Sequence, residues 1–169
     1  MLVKALQAAE AAGARTRLLS GVFLAKLPIY DPNTSGASPE LEDMLAAVLD
    51  ADGILISTPG YHGSVSGLVK NALDALEGLR GDARPYLDGR AVGCIVTADG
   101  WQAAGTTLSA LRDVIHALRG WPTPLGVTLN PSAGKLFDDA GTFRDERDAR
   151  QVEMLAGQVV AFARAFAGP

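Results

Sequence analysis

Residues 51–74 constrain this chain more than any other stretch. A short apolar run, Gly53-Ile54-Leu55-Ile56-Ser57, breaks into Thr58-Pro59-Gly60-Tyr61-His62-Gly63-Ser64, and helical spacing resumes by Gly67. An apolar run of that length without polar alternation reads as a strand covered by helices on both faces. A strand, a glycine-bearing loop at its carboxyl end and a helix form the corner where open α/β sheets hold ligands.

The remaining segments extend that pattern. Residues 2–12 read as an alanine-rich helix stopped by Gly13, and residues 15–20 as a short strand carrying Leu18 and Leu19. A Pro/Asp/Asn/Ser loop over 28–39 ends in Ser38-Pro39-Glu40, an N-cap, a first-turn proline and an acidic first turn, and the helix runs to Asp50. A helix over 67–79 comes after the central loop. Residues 91–97 form a third buried strand, ending in Ala98-Asp99-Gly100-Trp101-Gln102. Thr106 or Thr107 is expected to cap the next helix, which carries Leu108, Leu111, Ile115 and Leu118. Pro122 and Pro124 place a strand over 125–129 at a sheet edge. Residues 130–145 are loop-rich, with a turn at Asp139-Ala140-Gly141, and a final helix spans 147–166. Helix and strand alternate without a linker or repeat, so residues 1–169 are expected to form one α/β domain with a parallel sheet between helix layers.

Composition narrows the function. A net charge of −4 and the lack of a basic run argue against nucleic acid as the main partner. The single cysteine, Cys94, forbids an internal disulfide framework and fits a reducing compartment. No apolar run reaches membrane-spanning length, and the first residues do not follow a secretory-signal pattern. A cytoplasmic protein without a membrane partner is expected.

Two loops draw attention as sites. In 58–67, Pro59 fixes one φ, while Gly60 and Gly63 allow angles or close approaches barred to other residues. Such a loop can turn amides toward one point, with Ser64 and Ser66 adding hydroxyls and Tyr61-His62 at the tip. The alternative is a tight connection that binds nothing. In 97–105, Thr97, Asp99, Gly100 and Trp101 leave the neighbouring strand on the same edge; Trp101 either faces a planar ligand or anchors its own loop. His62 and His116 lack metal-ligand spacing, and Cys94 reads as a core thiol. Lys70 and Asp74 are spaced for a helical ion pair. No Walker-type loop, Gly-x-Gly-x-x-Gly or nucleophile elbow is present.

With both loops in view, the chain resembles the NADPH-dependent FMN reductases. The similarity runs from the first helix almost to the end and is strongest at Pro59-Gly60-Tyr61-His62-Gly63-Ser64 followed by Leu68-Val69-Lys70-Asn71-Ala72-Leu73-Asp74. The resemblance implies a flavodoxin-like three-layer fold with strand order 2-1-3-4-5. It also implies FMN as cofactor and NADPH or NADH as reductant, with a quinone, flavin, azo compound or metal oxyanion as acceptor. By the same resemblance, Pro59, Gly60, Tyr61, His62, Gly63 and Ser64 cradle the isoalloxazine ring, and Thr97, Asp99, Gly100 and Trp101 close against it. No side chain is expected to be catalytic, because flavin carries the chemistry. A homodimer or homotetramer is implied as well. The rival readings are a non-enzymatic electron carrier and a flavin-free partner subunit.

Two departures from the family pattern stand out. Gly60 and His62 occupy positions where many members carry Glu and Asn. Members also begin with an apolar strand and a Gly-Ser-x-Arg-x-x-Ser loop for the FMN phosphate, whereas Met1 already lies in the first helix here. The first, central strand is therefore expected to be missing, through an upstream start or a natural shortening. The groove it leaves is expected to weaken FMN retention and stability unless another segment or subunit fills it.

Overall fold

The computed structural model describes residues 1–33 and 38–166, so part of the expected 28–39 loop, residues 34–37, lies outside it. The elements in order are α1 (Leu2–Ala11), α2 (Gly21–Leu24), α3 (Pro39–Asp50), β1 (Gly53–Tyr61), β2 (Ser64–Val65), α4 (Gly67–Ala75), a 3₁₀ turn (Leu76–Leu79), β3 (Ala91–Thr97), α5 (Trp101–Ala117), β4 (Trp121–Pro122), β5 (Val127–Leu129), a 3₁₀ turn (Pro131–Ala133) and α6 (Glu146–Phe166).

β1 and β3 pair in parallel over seven residues, from Gly53 opposite Ala91 to Pro59 opposite Thr97. On the far side of β3 the sheet is completed in two pieces, β4 and β5, both parallel to it. The break between them arises from Pro122 and Pro124, which lack the amides a continuous ladder needs; Thr123 still donates to the carbonyl of Val92 at 3.0 Å. The sheet edge expected over 125–129 is thus present, with its regular part at Val127–Leu129.

Alternation along the strands sorts the helices into two layers. Ile54, Ile56, Val92 and Cys94 pack with Met44, Leu73, Leu111 and Ile115, which belong to α3, α4 and α5. Leu55, Ile95, Val127 and Leu129 pack with Ala5 of α1 and with Val152 and Leu155 of α6. Gly93 admits this second layer closely, since a Cβ there would lie 2.7 Å from Leu55 Cδ2 and 3.1 Å from Leu155 Cγ.

Local signals account for several helix boundaries. Ser38 caps α3 by accepting from Leu41 N, with Pro39 at the first helical position and Glu40 and Glu42 in the first turn. The expected helix over 67–79 is α-helical to Ala75 and tightens into a 3₁₀ turn at its end. Asp138 accepts from the amides of Ala140 and Thr142, forming the expected turn around Gly141.

One expected strand is not formed. Residues 15–20 have no regular secondary structure, and α2 comes next with Ser20 as its cap. A strand is defined by its ladder, and no described strand pairs with this segment. Instead, a groove of about 870 Å³ separates it from β1, walled by Arg15, Thr16 and Leu19 on one side and Gly53, Ile54 and Leu55 on the other. Leu2 and Leu6 of α1, Ala46 and Ala47 of α3, and Val160 of α6 complete its lining. Among the described residues, the β1 edge facing this groove has no partner strand along Gly53–Pro59; only β2 pairs beyond it, at Gly60 and Tyr61.

Candidate functional site

Because Pro59 sits opposite Thr97, the carboxyl ends of β1 and β3 emerge side by side. Residues 58–67 are more regular than the loop expected there. The strand continues to Tyr61 and folds back as β2, with Tyr61 opposite Ser64 and Gly60 opposite Val65. The two linking residues, His62 and Gly63, have φ of +52° and +83°. Positive φ at both central positions defines a type I′ hairpin turn, whose twist matches that of the flanking strands. Only the tip therefore offers free amides: His62 and Gly63 donate to no backbone or side-chain acceptor among the described residues, whereas Ser64 is part of the ladder. A Cβ on Gly63 would meet nothing within 4 Å, so the glycine serves the backbone angle and leaves open space beside the tip.

Gly60 has a different reason to be glycine. A Cβ there would lie 2.7 Å from Thr107 Oγ1 and 3.0 Å from Ala98 Cβ. Thr107 is fully buried in α5, and its hydroxyl donates to the carbonyl of Ser64 at 3.4 Å. Helix α5 thus lies directly on the hairpin, in space that a glutamate at this position would need. Below the hairpin, buried Thr58 accepts from the amide of Ser66 at 3.1 Å and donates to the carbonyl of Pro59 at 2.9 Å. Ser66 in turn caps α4 by accepting from Val69 N.

The second loop is tighter than expected. Ala98 N donates to the carbonyl of Leu129 at 3.0 Å, carrying the β3–β5 pairing one residue past Thr97. Asp99 is exposed, and α5 starts immediately at Trp101. Thr106 and Thr107 therefore lie inside the helix and do not cap it. Gly100 holds the N-cap position at φ +102° without a side-chain cap. Its amide donates to Asn130 Oδ1 at 3.2 Å, and that oxygen also accepts from Ser132 N at 3.1 Å and Ser132 Oγ at 2.6 Å. The first-turn amides of Trp101, Gln102 and Ala103 have no acceptor among the described residues, so the positive end of the helix faces this corner.

Tyr61 and Trp101 are each 61% exposed. The ten expected site residues thus fall on two adjoining pieces of backbone, Pro59–Ser64 on the hairpin and Thr97–Trp101 on the loop. Thr58, Thr107 and Asn130 are not among the ten, yet all three are buried polar residues bonded to these two pieces. The available signal is position in the sequence, since Thr58 and Asn130 each directly follow an apolar run and precede a proline.

The other candidates stay structural. Cys94 is fully buried, and burial pushes its thiol up to about 12, far from the value of a reactive thiolate. Lys70 and Asp74 form an exposed i,i+4 ion pair at 2.6 Å. His116 is exposed in the last turn of α5. No helix among the described residues is long and apolar enough to cross a membrane.

The sequence profile of the NADPH-dependent FMN reductases matches residues 1–134. The chain belongs to this family. It is an oxidoreductase of the FMN-dependent NAD(P)H class, acting on a small-molecule electron acceptor. An FMN-dependent NADPH-azoreductase of Staphylococcus haemolyticus is 28% identical over 147 residues, covering 82% of this chain and 74% of the relative. Among solved structures, FerB, a flavoenzyme NAD(P)H:(acceptor) oxidoreductase from Paracoccus denitrificans, superposes with a TM-score of 0.76 at 21% identity, covering 97% of this chain and 88% of the other. An NADH:FMN oxidoreductase in its apo form gives a TM-score of 0.70 at 21% identity, covering 98% and 80%. These two likenesses establish the flavodoxin-like fold.

Proposed function

We propose that this chain takes electrons from NADPH and passes them through FMN to a small organic acceptor, azo compounds included, with the flavin ring seated between the hairpin tip and the second loop. The observation that carries this reading is the pairing of Pro59 with Thr97, which sets the His62-Gly63 turn and the Gly100-Trp101 corner side by side. The residues present suit the ring. Free amides of His62 and Gly63 can donate to its carbonyl and nitrogen edge, the open α5 terminus favours an electron-rich edge, and Tyr61 and Trp101 offer apolar faces. FMN held there would supply the hydride and electron transfer, leaving the chain to bind and orient the ring without a protein acid, base or nucleophile.

Within this reading, Pro59 and Gly60 hold the floor that Thr107 braces, and Thr97 and Asp99 set the rim beside it. Ser64 fixes the register of the hairpin. Tyr61 and Trp101 exclude water from the ring faces. The azoreductase names of the relatives support an azo acceptor and NADPH as donor. The family resemblance supports a single cytoplasmic domain working as a homodimer or homotetramer.

The test is spectroscopic. The purified chain is titrated with FMN, and its visible spectrum is recorded before and after anaerobic NADPH and then an azo dye. Bleaching by NADPH followed by dye decolorisation is expected. A yellow protein that NADPH does not bleach would instead be a carrier, and failure to take up FMN would identify a flavin-free subunit. Replacing Gly63 sharpens the test, because valine disfavours φ of +83° and places its side chain in the space beside the tip. Gly63→Val should weaken FMN affinity by about a hundredfold, a loss of roughly 3 kcal/mol. Unchanged affinity by fluorescence titration would sink the placement of the ring.

A further inference from the structure

We propose that Asn130 is a positioning residue for the flavin corner, holding Gly100 and thereby setting where Trp101 and the first turn of α5 stand. The inference rests on the function proposed above and adds a residue that neither loop contains. Asn130 follows the last residue of β5, is 8% exposed, and directs Oδ1 at three donors at once, Gly100 N, Ser132 N and Ser132 Oγ. That set fixes the orientation of the amide, since only its oxygen can accept. Its NH₂ group has no partner among the described residues, so the bonded function of the side chain is entirely that of an acceptor.

The structure gives this acceptor an unusual task. Gly100 begins a 17-residue helix at φ +102°, and no N-cap side chain bonds back into the helix. The bond from Gly100 N to Asn130 is therefore the polar anchor that the sheet supplies to the start of α5, beside the backbone bond from Ala98 to Leu129. The consequence reaches further than the second loop. Less than two turns into the same helix, Thr107 touches Gly60 and donates to the carbonyl of Ser64. A shift at Gly100 moves both walls of the corner, because one helix carries both contacts.

Two substitutions separate positioning from ligand contact. Asn130→Asp keeps the acceptor and removes the NH₂ donor; Asn130→Ala removes both. Readouts are exchange of the Gly100 amide by NMR, Trp101 fluorescence anisotropy in a Trp121→Phe background, FMN affinity, and the split of effect between kcat and KM for NADPH. For Asn130→Ala, exchange at Gly100 should rise about tenfold with the loss of one hydrogen bond. Trp101 anisotropy should fall, and FMN affinity should weaken by about the same factor. Asn130→Asp should retain Gly100 protection and Trp101 anisotropy, and hold FMN within about threefold. Should Asn130→Ala not fold, Asn130→Ser supplies an oxygen too short to reach Gly100 and carries the same expectation.

Unchanged Gly100 exchange in Asn130→Ala would overturn the proposal. So would lost protection with unaltered Trp101 anisotropy and FMN affinity, or an Asp variant that loses protection as the Ala variant does. If the unsubstituted chain takes up no FMN, the proposed function fails, while exchange at Gly100 and anisotropy at Trp101 still decide the role of Asn130.

Discussion

β1 and β3 are neighbours in register, built from similar apolar residues, and they sit in different surroundings. β3 is buried from Ala91 through Val96 and pairs on both sides, with β1 on one and β4 and β5 on the other. Residues 53–57 of β1 are only half-buried, since their second edge faces the groove of about 870 Å³. Burial of a strand is thus a property of its neighbours more than of its composition. Both strands nonetheless deliver a candidate loop at the same level, so the corner is set by the one pairing they share.

This contrast is open to direct tests. Ile95, fully buried on β3, should lose about 2–5 kcal/mol on replacement by alanine. Leu55→Ala on β1 should lose roughly 1–2 kcal/mol, since part of its surface is already wet. Urea unfolding measures both, and equal losses would break the comparison. Arg90 comes next. Its fully buried guanidinium donates to the carbonyls of Ala51 and Leu49, both at 2.9 Å, and so ties the entrance of β1 to that of β3. Arg90→Met leaves those carbonyls without their donor and should destabilise the fold by about 3 kcal/mol. Lysine should rescue little, because it lacks the fork.

An effect absent at neutral pH appears in alkali. The Cys94 thiol stays protonated up to about 12 in the folded chain, against about 8.5 when unfolded. Between those values the unfolded chain has released a proton that the folded chain retains, so stability falls as pH rises. Cys94→Ala should remove that alkaline slope, whatever its effect at neutral pH. Thiol labelling of the native chain at pH 8 should likewise be slow, and fast in urea.

What could be read from the residues alone was whatever is decided locally. The Ser38-Pro39-Glu40 start, the Lys70–Asp74 pair and the long α6 are set by neighbours within four positions. The hairpin was hidden because His62-Gly63 is a less familiar type I′ pair than Asn-Gly, and its Pro-Gly surroundings read as plain loop. Residues 15–20 carry the apolar pair Leu18 and Leu19 but have no ladder, and a partner is not a property of the segment itself. The start of α5 was misplaced at Thr106 or Thr107 because its actual anchor, Asn130, stands 30 residues away. For the same reason the two stretches expected at the ring are each contiguous in the sequence, whereas Thr107 and Asn130, which brace them, stand far from the residues they bond.

β1 also has a mechanical meaning. Its nine residues span roughly 30 Å as one stiff rod. The foot of that rod stands in the groove and its tip is the His62-Gly63 turn. The foot is held on one edge only, by β3 and by Arg90, so whatever fills the groove on its other edge also steadies the tip amides proposed to meet the flavin, from the opposite end of the strand.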